Sequence, residues 1–271
     1  MKRNLPLMSA TTFALAFASS FATGEASVEE YRAMLADKDA NPGFLVIDQG
    51  EILFKTPRGP RNVSLEKCDF GLGPGKLKGA YAQLPRYFKD TKRVQDLESR
   101  LLTCMVSLQG FDEAEIKKKT FADQRYNETN TEIEMLAAYV GYQSNGMKIE
   151  PPLKHPAEKE ALKVGEAYFW NRHGPMDFSC ATCHAEDGKR VRLQGLVNVY
   201  NKKDIQATMT AWPTYRVSHG VVRNMQHRMW DCHWQMRTPD IDFGSPASTA
   251  LISFLTHQAK GGTYDLPGMK R

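Results

Sequence analysis

Cys180-Ala181-Thr182-Cys183-His184 is the stretch on which the reading of this chain turns. Two thiols three residues apart lie on one helical turn and can add to the two vinyl groups of a haem, and the histidine that follows is then placed beneath the ring to bind iron. Three other readings compete. A zinc site asks for a second closely spaced Cys or His pair, a thioredoxin-type dithiol asks for a preceding strand in a βαβ setting, and a plain disulfide has no use for His184. Covalent attachment of one haem c uses every residue of the motif, and it makes a small helical cytochrome c unit the expected fold around it.

The whole chain has 271 residues, 41% hydrophobic and 25% charged, which is enough apolar material for one or two ordinary cores. That excludes a disordered tail, a collagen and a small disulfide scaffold. The formal net charge of +5 is scattered along the chain, so no nucleic-acid partner is expected. Five cysteines cannot all pair with one another, and at least one needs another explanation. Met1, Lys2 and Arg3 precede an apolar run over 5–18 and several small residues up to Ala26, so residues 1–26 read as an export signal. The run is too short and interrupted for a membrane span, and nothing comparable follows, in line with a mean hydropathy of −0.49. The mature protein is expected to be soluble and outside the cytoplasm, where disulfides and covalent haem are both feasible.

Outward from the motif, the pattern is mostly helical. A short helix is expected over 29–37, while residues 41–76 carry many Gly and Pro and read mostly as loops and short strands. Apolar residues at spacings of three, four and seven predict a helix over 93–108. A second follows over 131–142, behind a Thr131 cap with Glu134 three residues on. Pro151, Pro152 and Pro156 mark a boundary; amphipathic helices are then expected over 158–170 and 248–258. The second half repeats the order of the first, and Arg100 four residues before Cys104 matches Arg228 four residues before Cys232. The expected fold is mainly α. Two tandem cytochrome c-like domains follow the signal, residues 27–150 without haem and with some extra loop and strand structure, and residues 151–271 with haem.

Iron bound by His184 needs a second ligand or an open face. Met209, His219, Met225, His227, Met229, Cys232, His233 and Met236 are the candidates, and composition does not choose among them. Cys68 and Cys104, 36 residues apart, read as a structural disulfide: Asp69 stands where a haem motif needs His, and Leu65 where it needs Cys. Cys232 is then the thiol with no structural duty. If its segment is helical, Arg228 lies one turn before it and would lower the thiol pKa and offer a forked donor to an oxyanion, with Arg223 and Arg237 adding to the field. Equally, these arginines solvate a helix beside Trp230 and Trp234.

These features together resemble the SoxA family, the larger subunit of the SoxAX cytochromes of sulfur-oxidising bacteria. The resemblance is carried by the export signal, the motif from Cys180 to His184, the segment from Arg228 to Cys232 and the two-unit layout. It is to the mono-haem kind, with Cys68 and Cys104 at the site of a lost first haem. The family implies an L-cysteine S-thiosulfotransferase that oxidatively couples thiosulfate to a cysteine of the carrier protein SoxYZ in the periplasm. Carried over, Cys180 and Cys183 attach haem c, His184 and Cys232 are its axial ligands, Cys232 is the catalytic cysteine, often a persulfide, and Arg228 binds substrate. The resemblance also implies the haem subunit SoxX as partner. Some mono-haem members are linked to copper, and His219, His227 and His233 lie in the right neighbourhood for a second metal. Two rivals remain: a plain electron-transfer cytochrome with Met225, Met229 or Met236 on iron, and a thiosulfate dehydrogenase that needs no carrier.

Overall fold

A computed structural model describes residues 40–121, 129–191 and 194–270, with Glu30, Ala33 and Asp37 before them. The expected export signal and most of the helix expected over 29–37 lie outside the described residues. The first half opens on α1 (Gly43–Lys55), where the sequence predicts loops. Gly43, Phe44, Val46, Ile47, Gly50 and Phe54 are its buried residues. Gly50 reads as punctuation but is a contact: a β-carbon there would come 2.7 Å from the Met135 carbonyl carbon and 2.9 Å from Tyr139 Cβ.

A hairpin of β1 (Arg86–Phe88) and β2 (Arg93–Gln95) follows. The helix expected over 93–108 therefore starts later. Asp96 caps α2 (Leu97–Cys104) by accepting from the Ser99 backbone N–H at 2.9 Å, and a π-turn, Met105–Gln109, extends it. After α3 (Glu113–Phe121), α4 (Glu132–Tyr142) begins as predicted, on a Thr131–Glu134 capping box, and packs along α1.

The second half runs through α5 (Pro156–Trp170), α6 (Cys180–His184), the short pair β3 (Arg190–Val191) and β4 (Gln194–Gly195), and α7 (Lys202–Met209). Next come β5 (Thr214–Arg216), β6 (Val221–Arg223), α8 (Met225–Met236), α9 (Pro246–Gln258) and β7 (Gly268–Lys270). β5 is central in its sheet, antiparallel to β6 and parallel to β7. α5 packs along α9 as α1 does along α4. Gly165 is the contact point, where a β-carbon would lie 2.6 Å from the Ala250 carbonyl carbon. Phe169 meets Phe254 at 5.2 Å between ring centroids, and Phe54 meets Tyr139 at 5.4 Å.

These equivalences keep fixed spacing. A step of 115 positions leads from Gly50 to Gly165, Phe54 to Phe169, Ser64 to Ser179, Cys68 to Cys183 and Tyr139 to Phe254. A step of 128 leads from Phe88 to Arg216, Asp96 to Asn224, Arg100 to Arg228 and Cys104 to Cys232. Cys68 and Cys104 form the expected disulfide, with 5.8 Å between their α-carbons. The halves are joined by buried polar links. Arg223 on β6 donates to both Glu134 carboxylate oxygens at 2.9 and 3.0 Å, and Gln226 on α8 donates to Asp96 at 2.7 Å.

Candidate functional site

Ser179 closes the start of α6: it accepts from the Thr182 backbone N–H at 3.2 Å while Thr182 Oγ1 accepts from the Ser179 N–H at 3.0 Å. The cap holds Cys180 and Cys183 on one turn, at the wall of a cavity of about 520 Å³. His184 Nδ1 meets the Val197 carbonyl oxygen at 2.8 Å. Because that oxygen can only accept, Nδ1 carries the proton and Nε2 keeps its lone pair, the tautomer a metal ligand needs. Burial lowers the His184 pKa, which keeps the ring neutral at pH 7.

α8 supplies another part of the wall. Met225, Arg228, Met229, Cys232, His233 and Met236 fall at helical spacing along one face, and all line the cavity. Arg228 Nη1 is paired with Asp231, and Gln235 donates to the same carboxylate at 3.3 Å. Burial raises the Cys232 thiol above its ordinary range, with Arg228 working against it. The expectation of a lowered thiol pKa is thus reversed, because desolvation of the thiolate outweighs one neighbouring guanidinium. The Cys180 thiol is pushed up to about 12, by burial first and then by Cys232.

The sequence places two arginines in this field that fold elsewhere. Arg223 is sealed in its pair with Glu134, and Arg237 lies over the Trp234 ring at 4.9 Å. Arg216 and Lys270 line the cavity in their stead. Arg216 comes from β5 and Lys270 from β7, and no local pattern marks either. The histidines do not converge as one metal site. His219 and His227 face each other at 6.3 Å between ring centroids, whereas His233 meets the Met229 carbonyl at 2.7 Å and the Tyr168 hydroxyl at 2.8 Å. Among the described residues no group of three or more His, Cys, Asp or Glu is arranged to hold a metal ion.

The wall fits a haem. Phe169, Leu196, Val197, Trp212 and Leu251 make much of it apolar. Trp212 Nε1 and Arg216 Nε are buried without a hydrogen-bond partner among the described residues, and both are donors suited to an acidic group at an otherwise apolar wall. No helix among the described residues is long and apolar enough to cross a membrane.

Comparison with known proteins agrees with this geometry. The family model described as "SoxA/TsdA, cytochrome c domain" matches residues 49–149, the half without the haem motif. The L-cysteine S-thiosulfotransferase subunit SoxA of Hydrogenophilus thermoluteolus is 45% identical over 245 residues, covering 90% of this chain and 88% of its own length. A protein of the same name from Hydrogenobacter thermophilus is 35% identical, over 88% of this chain and 85% of its own. The crystal structure of SoxXA from P. pantotrophus contains a chain with the same fold, at a TM-score of 0.71 and 21% identity, over 90% of this chain and 84% of that one. With the haem motif, the paired halves and identity at this level over nearly the whole length, the chain belongs to the SoxA family.

Proposed function

We propose that this protein is an L-cysteine S-thiosulfotransferase subunit, as its relatives are named, and that it couples thiosulfate to a cysteine of SoxYZ. Cys180 and Cys183 would attach one haem c, His184 and Cys232 would bind its iron, and Arg228 would hold thiosulfate. The contrast between the halves carries the reading. In the first, Cys104 is closed in a disulfide, and Arg100 donates to the Asp69 carbonyl at 2.6 Å and to Asp90 at 2.8 Å. In the second, the equivalent Cys232 and Arg228 open on a cavity shared with Cys180, Cys183 and His184.

The coupling forms a sulfur–sulfur bond between the outer sulfur of thiosulfate and the carrier cysteine, releasing one proton and two electrons. A haem c attached at this wall would supply an acceptor for electrons. Arg228, oriented by Asp231, offers two parallel donors to the sulfonate oxygens, and the apolar wall keeps water from the reacting sulfurs. The electrons would leave to a SoxX partner, for which the SoxXA assembly of P. pantotrophus is the precedent. The matched spacings support a division into a haem-free cytochrome c-like domain over 27–150 and a haem-binding one over 151–271, in a periplasmic protein.

Cys232→Met in the haem-loaded complex tests the reading. Loss of coupling between thiosulfate and SoxYZ is expected, with the near-infrared sulfur-to-iron band moving to lower energy; full coupling activity in the variant would overturn it. A plain electron-transfer cytochrome is the second reading, because Met225, Met229 and Met236 share the wall with Cys232. In that case the wild-type band already lies at the methionine position. Turnover of thiosulfate without carrier would favour a thiosulfate dehydrogenase.

A further inference from the structure

Arg216 and Lys270 are neighbours by sheet register: parallel pairing of β5 with β7 sets Arg216 opposite Lys270, and the Val217 N–H donates to the Lys270 carbonyl at 2.9 Å. Registered partners present their side chains on the same face of a sheet, and here both line the cavity with Arg228 and Cys232. Like charges directly opposite each other on a sheet are destabilising, and partial burial adds desolvation. Burial first and then neighbouring cations lower both pKa values: Arg228 acts on both, and Arg216 acts on Lys270. Asp231 is the carboxylate that Arg216 senses, and it is already bonded to Arg228 and Gln235.

The first half shows what this arrangement replaces. Phe88 stands at the position equivalent to Arg216 and lies under the Arg100 guanidinium at 4.1 Å, while Asp90, the ionic partner of Arg100, is equivalent to Ser218. In the second half the aromatic platform has become a cation and the acid a neutral hydroxyl. The first change adds a positive charge beside Cys232; the second is offset for Arg228 by Asp231, which stands at the position of Thr103. We infer that Lys270, delivered by β7, and Arg216 complete with Arg228 a seat for the doubly charged thiosulfate anion.

This inference rests on the proposed function and names a specificity residue for it. Arg228 alone offers one positive charge, already shared with Asp231, to a dianion. Lys270 and Arg216 make the seat net cationic, favouring a dianion over a neutral thiol. The acidic tails of haem are the other anions within reach of this wall. Arg216 and Lys270, however, share the cavity wall with Arg228 and Cys232, and thiosulfate affinity read against haem potential separates the two anions.

The test uses the haem-loaded complex in wild-type, Lys270→Gln, Lys270→Met and Lys270→Arg forms, titrated with sodium thiosulfate while haem absorption, KM and kcat for carrier coupling, and haem potential are followed. Loss of one charge-assisted contact is expected to weaken thiosulfate binding by ~10- to 100-fold in both neutral variants, raising KM more than it lowers kcat. Lys270→Arg should recover most of the affinity. Thiosulfate affinity equal to wild type in Lys270→Gln and Lys270→Met overturns the assignment. So does a shift of haem potential or loss of haem with thiosulfate affinity kept, which would give Lys270 to the haem. A wild-type complex that neither binds nor turns over thiosulfate defeats the proposed function itself, and is thereby told apart from failure at Lys270.

Discussion

Gly165→Ala should destabilise this protein, although helix propensity predicts the opposite. Inside a helix alanine is favoured over glycine by about 1 kcal/mol, so an exposed site would gain stability. Gly165 is buried on α5, and its new β-carbon would meet the Ala250 carbonyl of α9, 2.6 Å from the carbonyl carbon and 3.0 Å from Phe254 Cβ. Ordinary carbon contacts need ~3.5 Å, so α5 and α9 must part by about 1 Å. The obstacle is backbone, which no rotamer change relieves. A gap of that size forfeits up to about half of the attraction between facing atoms, and overpacking of a core costs ~1–3 kcal/mol. With the propensity gain subtracted, a net loss of about 1 kcal/mol is expected, or ~2–4 °C in Tm for a chain of this size. Thermal unfolding of the haem-loaded protein by circular dichroism measures it. Gly50→Ala should act alike through Met135. A Tm at or above wild type in either variant would refute the close-contact reasoning.

Two further outcomes follow from the first half and the interface. Replacing Cys68 and Cys104 together by serine should lower stability by ~4 kcal/mol, the loop-closure value for their separation of 36, and leave the haem spectrum of the other half unaltered. Denaturant midpoints with and without reductant check this; equal midpoints for variant and oxidised wild type would refute it. Glu98, buried in the first turn of α2, is pushed up from 4.5 to about 8, by burial first and then by Asp96. The folded state keeps it neutral while the unfolded chain ionises. Its contribution is therefore complete below pH 4.5, falls by about 1.4 kcal/mol per pH unit up to about pH 8, and is flat beyond. Glu98→Gln should flatten the decline in urea midpoint between pH 5 and 7.5, and an unaltered slope would tell against a neutral Glu98.

What could be read from sequence was local. The haem motif, the Thr131–Glu134 box and the helix beyond Pro156 depend on residues within a few positions of one another, and each lies where predicted. α1 was hidden because Gly50 and the Gly-rich stretch after it read as turns, while what makes Gly50 helical is a partner helix about eighty-five residues away. The site was half legible for the same reason. Arg228 and Cys232 share a helix face and are visible in the sequence. Arg216 and Lys270 meet only through a parallel pairing of strands across 54 positions, which neither periodicity nor spacing encodes.

The disulfide clarifies why Cys232 stands where it does. Cys68 and Cys104 occupy the positions of Cys183 and Cys232, and in the first half these two positions stand within bonding distance. The approach of position 232 to the haem motif is thus a property of the frame of paired helices, not of the residues around Cys232. Three of the differences between the twins bear on the site's chemistry: Cys180 for Leu65, His184 for Asp69, and Arg216 for Phe88. The first two would convert a crosslink site into a haem site, and the third would convert an aromatic support for Arg100 into a second cation beside Arg228. The family match over 49–149 falls on the twin that has no haem motif, so the frame itself is what the family shares there. Chemistry can therefore be confined to one half while both keep the register that sets Arg228 and Cys232 against the motif.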